Sequence, residues 1–171
     1  MYPLTIAMTF FAFAVGAHAI VEKAAAPPIV EVLGAGGLDT SPPAQIVAVF
    51  ANGKVVYRGK SAMVPKREVK ALQKKLKAMG VFLLRQAELD KQLVDAGSGP
   101  AAYRRGGSGK FTLAFLEGKD VVKVALNGPQ HYAGSKIRFA RIFHDVWATL
   151  MEFGPKAVHA QAAPELSSGG S

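Results

Sequence analysis

The sequence predicts an α+β domain: an antiparallel sheet of two β-hairpins with two helices packed on one face, in the order ββαββα. Three observations predict it. Gln45 to Arg58 and Lys110 to Leu126 each carry two apolar runs around a short turn signal. Each of these segments is followed by one whose apolar residues recur at helical spacing. Half of the residues are hydrophobic and 19% are charged, a balance that suits a packed domain and excludes a chain too polar to fold.

In the first segment, apolar runs flank Asn52-Gly53. This is a strong hairpin signal, because both central residues of a type I′ turn need positive φ. A two-residue turn there sets Phe50 opposite Val55 and Ala48 opposite Tyr57, with Ile46 on the same face. Val47, Val49, Val56 and Arg58 then share the other face. The first helix opens at Pro65, carries the stripe Val69, Leu72, Leu76 and Met79, and stops at Gly80 as a left-handed cap. Residues 81–84 return the chain to the core. Residues 85–95 carry an ambiguous pattern that allows a short helical turn.

In the second hairpin a turn at Gly118-Lys119 pairs Phe115 with Val122, Leu113 with Val124 and Phe111 with Leu126. All six large apolar side chains then fall on one face, whereas a turn at Glu117-Gly118 would split the set. The favoured register sets Glu117 against Asp120, a small like-charge cost at the hairpin tip. Ser135 caps the last helix, which runs to about Phe153 on a stripe of Phe139, Ile142, Phe143, Val146 and Leu150. Ile137, Trp147 and Met151 widen that stripe. Burying its five residues at ~1.5–3 kcal/mol each contributes on the order of 10 kcal/mol before entropy.

The domain therefore spans residues 45–153 of a 171-residue chain. Residues 1–19 read as a secretory signal: the chain is almost unbroken apolar sequence from Leu4 to Val21, and Ala17-His18-Ala19 has the small residues that a signal peptidase reads. The n-region lacks Lys and Arg, and the alternative is a retained membrane helix over residues 4–21, short for a bilayer core. Either way the remainder lies outside the cytoplasm. Residues 20–44, with AAAPP, GAGG and SPPA in close succession, read as a flexible linker. Residues 154–171 read as a disordered tail.

The run QIVAVFANGKVVYRGKSAMVPKREVKALQKKLKAMGVF resembles a family of small exported bacterial domains of unknown function. The family pattern is a strand, an Asn-Gly or Asp-Gly turn, a strand ending in Tyr-x-Gly, and a helix closed by Gly-Phe-Phe. Here those features stand as Asn52-Gly53, Tyr57-Arg58-Gly59 and Gly80-Val81-Phe82, and the resemblance spans residues 44–152. One departure is Val64, which stands where the family has a polar helix cap. The resemblance implies this fold and export, and brings no catalytic residues.

Charge and chemistry narrow the function classes. Lys and Arg number 21 against 12 Asp and Glu, a net charge of +9, which favours anionic partners. There is no cysteine, hence no disulfide framework and no thiolate metal site. Gly106-Gly107-Ser108-Gly109-Lys110 falls short of a phosphate-binding loop, since Arg104 and Phe111 stand where Gly and Ser or Thr are needed. His144 and Asp145 are adjacent on a helix, so their side chains diverge by about 100° and form no relay. No nucleophile motif or metal-ligand spacing is present, so neither a cofactor nor a metal is expected, and the chain reads as a non-enzyme with a hydrolase as a distant alternative.

Two candidate sites remain. Because Phe111 pairs with Leu126, the loop before the hairpin (Tyr103, Arg104, Arg105, Lys110) and the loop after it (His131, Tyr132) leave the same end and offer basic and aromatic groups to a carboxylate, phosphate or sulfate. The second is the basic face of the first helix: Lys66, Arg67, Lys70, Lys74, Lys75 and Lys77, countered by Glu68. That face suits an anionic lipid surface or an acidic protein. Export and the lack of a stacking platform disfavour nucleic acid, and none is expected as a partner. The expectation is an exported, periplasmic or secreted binding module. The alternative is a membrane-anchored accessory subunit of a larger envelope complex.

Overall fold

A computed structural model describes residues 26–35, 42–97 and 109–162. The predicted leader, Tyr103 to Arg105 and the last nine residues lie outside that range. Among the described residues the chain is α+β. Six antiparallel strands run in the order β4-β3-β2-β1-β5-β6, and three helices accompany them. The strands are β1 (Val30–Ala35), β2 (Ala44–Val49), β3 (Lys54–Tyr57), β4 (Lys60–Met63), β5 (Lys110–Glu117) and β6 (Asp120–Asn127). The helices are α1 (Lys66–Met79), α2 (Gln86–Asp95) and α3 (Arg138–Ala162), with 3₁₀ turns at Val81–Leu83 and Pro129–Tyr132.

The arrangement ββαββα is too small by two strands and one helix. The largest correction falls in the expected linker over residues 20–44. Its residues 30–35 form β1, which lies between β2 and β5 and joins the two hairpins into one sheet. Val30 and Val32 alternate inward and are buried, while Glu31 points to the opposite face and accepts a hydrogen bond from Gln45 Nε2 at 2.8 Å. β1 and β2 approach closely at Gly34, where a Cβ would come within 2.5 Å of Ile46 Cδ1 and make that side chain shift. A bulge between Val32 and Leu33 shifts the pairing there. It lets Ile46 pack on the core beside Val47.

The first hairpin turns differently from expectation. Val49 pairs with Val55 and Val47 with Tyr57, one residue out of the predicted register. The cause lies in the loop: Lys54 and Phe50 form the last pair, Gly53 N–H donates to the Phe50 carbonyl at 3.1 Å, and Gly53 has φ 99°. Asn52 Oδ1 accepts from Lys54 N–H at 3.0 Å. Three residues therefore close the loop. That one-residue slip moves Val47, Val49 and Val55 to the core face, where all three are fully buried. The two-residue turn is instead at Arg58-Gly59, both with positive φ, and it starts the unforeseen strand β4.

The second hairpin has the predicted register, Phe111 with Leu126 through Glu117 with Asp120. Its core face continues the row of Val30, Val32, Val47 and Val49, and all of these residues belong to one cluster with the helices. α1 packs through Val69, Leu72 and Leu76 and ends at Gly80, whose φ of 86° lets its N–H reach the carbonyls of Leu76 and Lys77. No side chain caps its start, as the Val64 departure implies. Residues 86–95 form the full helix α2, anchored by the buried Leu89 and Leu93.

α3 carries the predicted stripe, with Phe143, Val146 and Leu150 fully buried and Ser135 Oγ accepting from Ile137 N–H at 3.1 Å. It does not stop at Phe153. It continues through Pro155 to Ala162, so residues 154–162 of the expected tail are helix. Pro155 has no N–H to give the Met151 carbonyl, but Ala157 and Val158 are buried beyond it. Gly154 lets α3 lie close to the sheet. A Cβ there would lie 3.0 Å from Tyr57 and 3.2 Å from Val47.

Each sheet edge has one residue paired by a glutamine amide. Gln161 Nε2 donates to the Met63 carbonyl at 2.8 Å while its Oε1 accepts from Met63 N–H at 3.1 Å. Gln86 does the same for β6, accepting from Ala125 N–H at 2.7 Å and donating to the Ala125 carbonyl at 3.3 Å. Each side chain stands in for the missing neighbour strand.

Candidate functional site

The two loops of the first candidate site do leave one end of the β5–β6 hairpin. Lys110 pairs with Asn127, and Gly128 N–H donates to the Gly109 carbonyl at 3.1 Å. His144 Nδ1–H donates to the Pro129 carbonyl at 2.8 Å and holds the turn Pro129–Tyr132 against α3. Beneath it, the Trp147 ring meets Phe111 edge-on at 5.5 Å. The exposed groups, however, are few. Lys110 and His131 face solvent, whereas Tyr132 is half-buried and packs against the core. Tyr103, Arg104 and Arg105 lie outside the described residues. The structure thus brings Lys110 and His131 to one end.

The second candidate site is more complete. At about 100° per residue, Lys66, Arg67, Lys70, Lys74 and Lys77 occupy an arc roughly 100° wide on the outer side of α1. All five are exposed, and none forms a salt bridge among the described residues. Lys75 departs from the expected set. It lies on the flank that faces α3, beside Glu68, Glu152 and Lys156 in a shallow pocket. The charged hydrogen bond from Lys156 holds the Glu152 carboxyl below the usual carboxylate range; the charge of Lys156 adds to this, and that of Lys75 adds a little. The one other ion pair among the described residues, Arg85 with Glu117 at 2.7 Å, ties the start of α2 to the end of β5. Among the described residues, the charge of the arc is therefore not neutralised by an ion pair.

A cavity of about 440 Å³ opens beside this arc, between α1 and the sheet. Ile29, Val30 and Phe115 wall it from the sheet side, and Leu76, Val81 and Phe82 from the helix side. Phe82 stands edge-on to Phe115 at 5.8 Å and is itself half exposed. Gln73, Lys74 and Lys77, all exposed residues of α1, are its polar lining. The sequence hides this feature because Ile29 and Val30 stand in a proline- and glycine-rich stretch that reads as a linker. The alternation Val30-Glu31-Val32 after Pro27-Pro28 was the available signal.

Among the described residues no group of three or more His, Asp or Glu is placed to hold a metal ion, and no helix is long and apolar enough to cross a membrane. Comparison with protein-family models, with curated proteins and with solved structures finds no match.

Proposed function

We propose that the protein is an exported, non-catalytic binding module of the envelope that docks an anionic membrane surface through α1. The observation that carries this reading is the arc of Lys66, Arg67, Lys70, Lys74 and Lys77: five exposed cations on one side of one helix, with no carboxylate partner among the described residues. Near an anionic surface each basic residue contributes about 1 kcal/mol, so such an arc docks without any shaped pocket. The net charge of +9 acts in the same direction at longer range. The apolar run Leu4 to Val21, as signal or as tether, supports delivery to that surface, as does the resemblance to small exported domains.

Flotation of the full chain with anionic and with neutral vesicles tests this. Neutral vesicles report whatever residues 4–21 contribute, so the difference between the two belongs to charge. The wild-type chain is expected to favour anionic vesicles. Reversing Lys70, Lys74 and Lys77 to Glu should weaken that preference by at least ~100-fold, from about 1 kcal/mol lost per cation. Equal binding of wild type and variant to anionic vesicles overturns the docking role of α1.

A further inference from the structure

The cavity beside the basic arc is unlike a chance surface dent in two respects. Its volume of about 440 Å³ lies within the roughly 300–1,000 Å³ of small-molecule sites. Its lining is also divided by chemistry. Ile29, Val30, Leu76, Val81, Phe82 and Phe115 contribute hydrocarbon and aromatic groups, while the three polar lining residues all belong to α1. Two of those three, Lys74 and Lys77, are exposed cations of the arc. A purely apolar ligand would leave their charge unused. A purely anionic one would gain nothing from the walls.

We propose that this cavity binds a single long acyl chain ending in an anionic group, with the chain between α1 and the sheet and the carboxylate at Lys74 and Lys77. Burial of the chain supplies the affinity, which grows with each methylene removed from water. The two ammonium groups orient the ligand, because its charged end stays at the wet rim. Phe82, packed edge-on against Phe115, forms part of the apolar wall while keeping one side in solvent. The site shares Lys74 and Lys77 with the membrane-docking reading. It differs in requiring the cavity and in operating on a monomeric ligand with no bilayer present.

The test is titration calorimetry of the full chain with dodecanoate below its micelle-forming concentration, beside butyrate and 1-dodecanol. Saturable binding of one dodecanoate is expected, with no detectable heat from butyrate and weaker binding of 1-dodecanol. Gln73→Trp, which places an indole at the cavity mouth from an exposed helix position, should weaken dodecanoate by about tenfold or more, equivalent to two displaced methylenes. The double variant Lys74→Glu, Lys77→Glu should weaken dodecanoate to a similar degree and leave 1-dodecanol unchanged. Unchanged far-ultraviolet circular dichroism and melting temperature establish that both variants fold. Absence of dodecanoate binding to the wild-type chain, or equal binding to Gln73→Trp, overturns the proposal. Q73W should keep its preference for anionic vesicles. Loss of acyl binding with that preference retained in the wild type therefore sinks the cavity alone, whereas loss of the vesicle preference sinks the docking surface.

Discussion

Gly154 and Phe143 show how much of the packing depends on single side chains. Gly154 is buried where α3 crosses β2 and β3, and a larger residue must push against Val47 and Tyr57. Gly154→Val should therefore destabilise by about 1–3 kcal/mol despite the better intrinsic propensity of a residue with a side chain, as measured by urea unfolding. Phe143 has no exposed surface and lies at the centre of the shared cluster. Phe143→Ala should cost about 3–5 kcal/mol in the same assay. Charged residues behave differently. The Glu152 carboxyl, held low by Lys156, contributes stability that is present at neutral pH and is lost as the pH falls through its folded value. Because both partners are exposed, Glu152→Gln should leave neutral-pH stability nearly unchanged and remove only a small part of the acid-side loss.

At the scale of elements, the glutamine amides each occupy one residue of an edge strand, Met63 in β4 and Ala125 in β6, and so oppose edge-to-edge pairing at those positions. Gln86→Ala removes two hydrogen bonds to Ala125, one of them to a half-buried N–H. A loss of about 1–3 kcal/mol is expected, together with concentration-dependent association visible by size-exclusion chromatography. An unchanged elution volume at high concentration would contradict the edge-closing role. The elements also separate what the sequence expresses from what it conceals. The β5–β6 register was legible because six large apolar residues agree on one register. The first hairpin was not. Its apolar residues occupy both faces, so pattern alone could not choose between two registers, and the choice fell to Gly53. That residue has room for no Cβ, since one there would lie 2.5 Å from the Val64 carbonyl. The left-handed pair Arg58-Gly59, with a basic residue in the position that favours Asn or Asp, hid β4 in the same way.

For the whole molecule, the sequence made the class plain: α+β, with an antiparallel sheet, helices and a basic first helix. It concealed that β1 completes the sheet, because its few alternating residues lie between proline- and glycine-rich stretches that resemble a linker. The consequence for function is direct. Without β1 there is no wall opposite α1, and the cavity next to the basic arc is invisible. The arc itself was legible from the spacing of its Lys and Arg, except that Lys75 is turned toward Glu152 by its position on the helix. The central claim is that this arc docks an anionic membrane surface, and the salt dependence of vesicle binding tests it most directly. Between about 0.01 M and about 1 M salt the screening length falls from ~30 Å to ~3 Å. The account predicts that the preference of the full chain for anionic over neutral vesicles falls steeply across that range and approaches zero at its upper end. A preference that persists undiminished at high salt, or no preference at low salt, would contradict it.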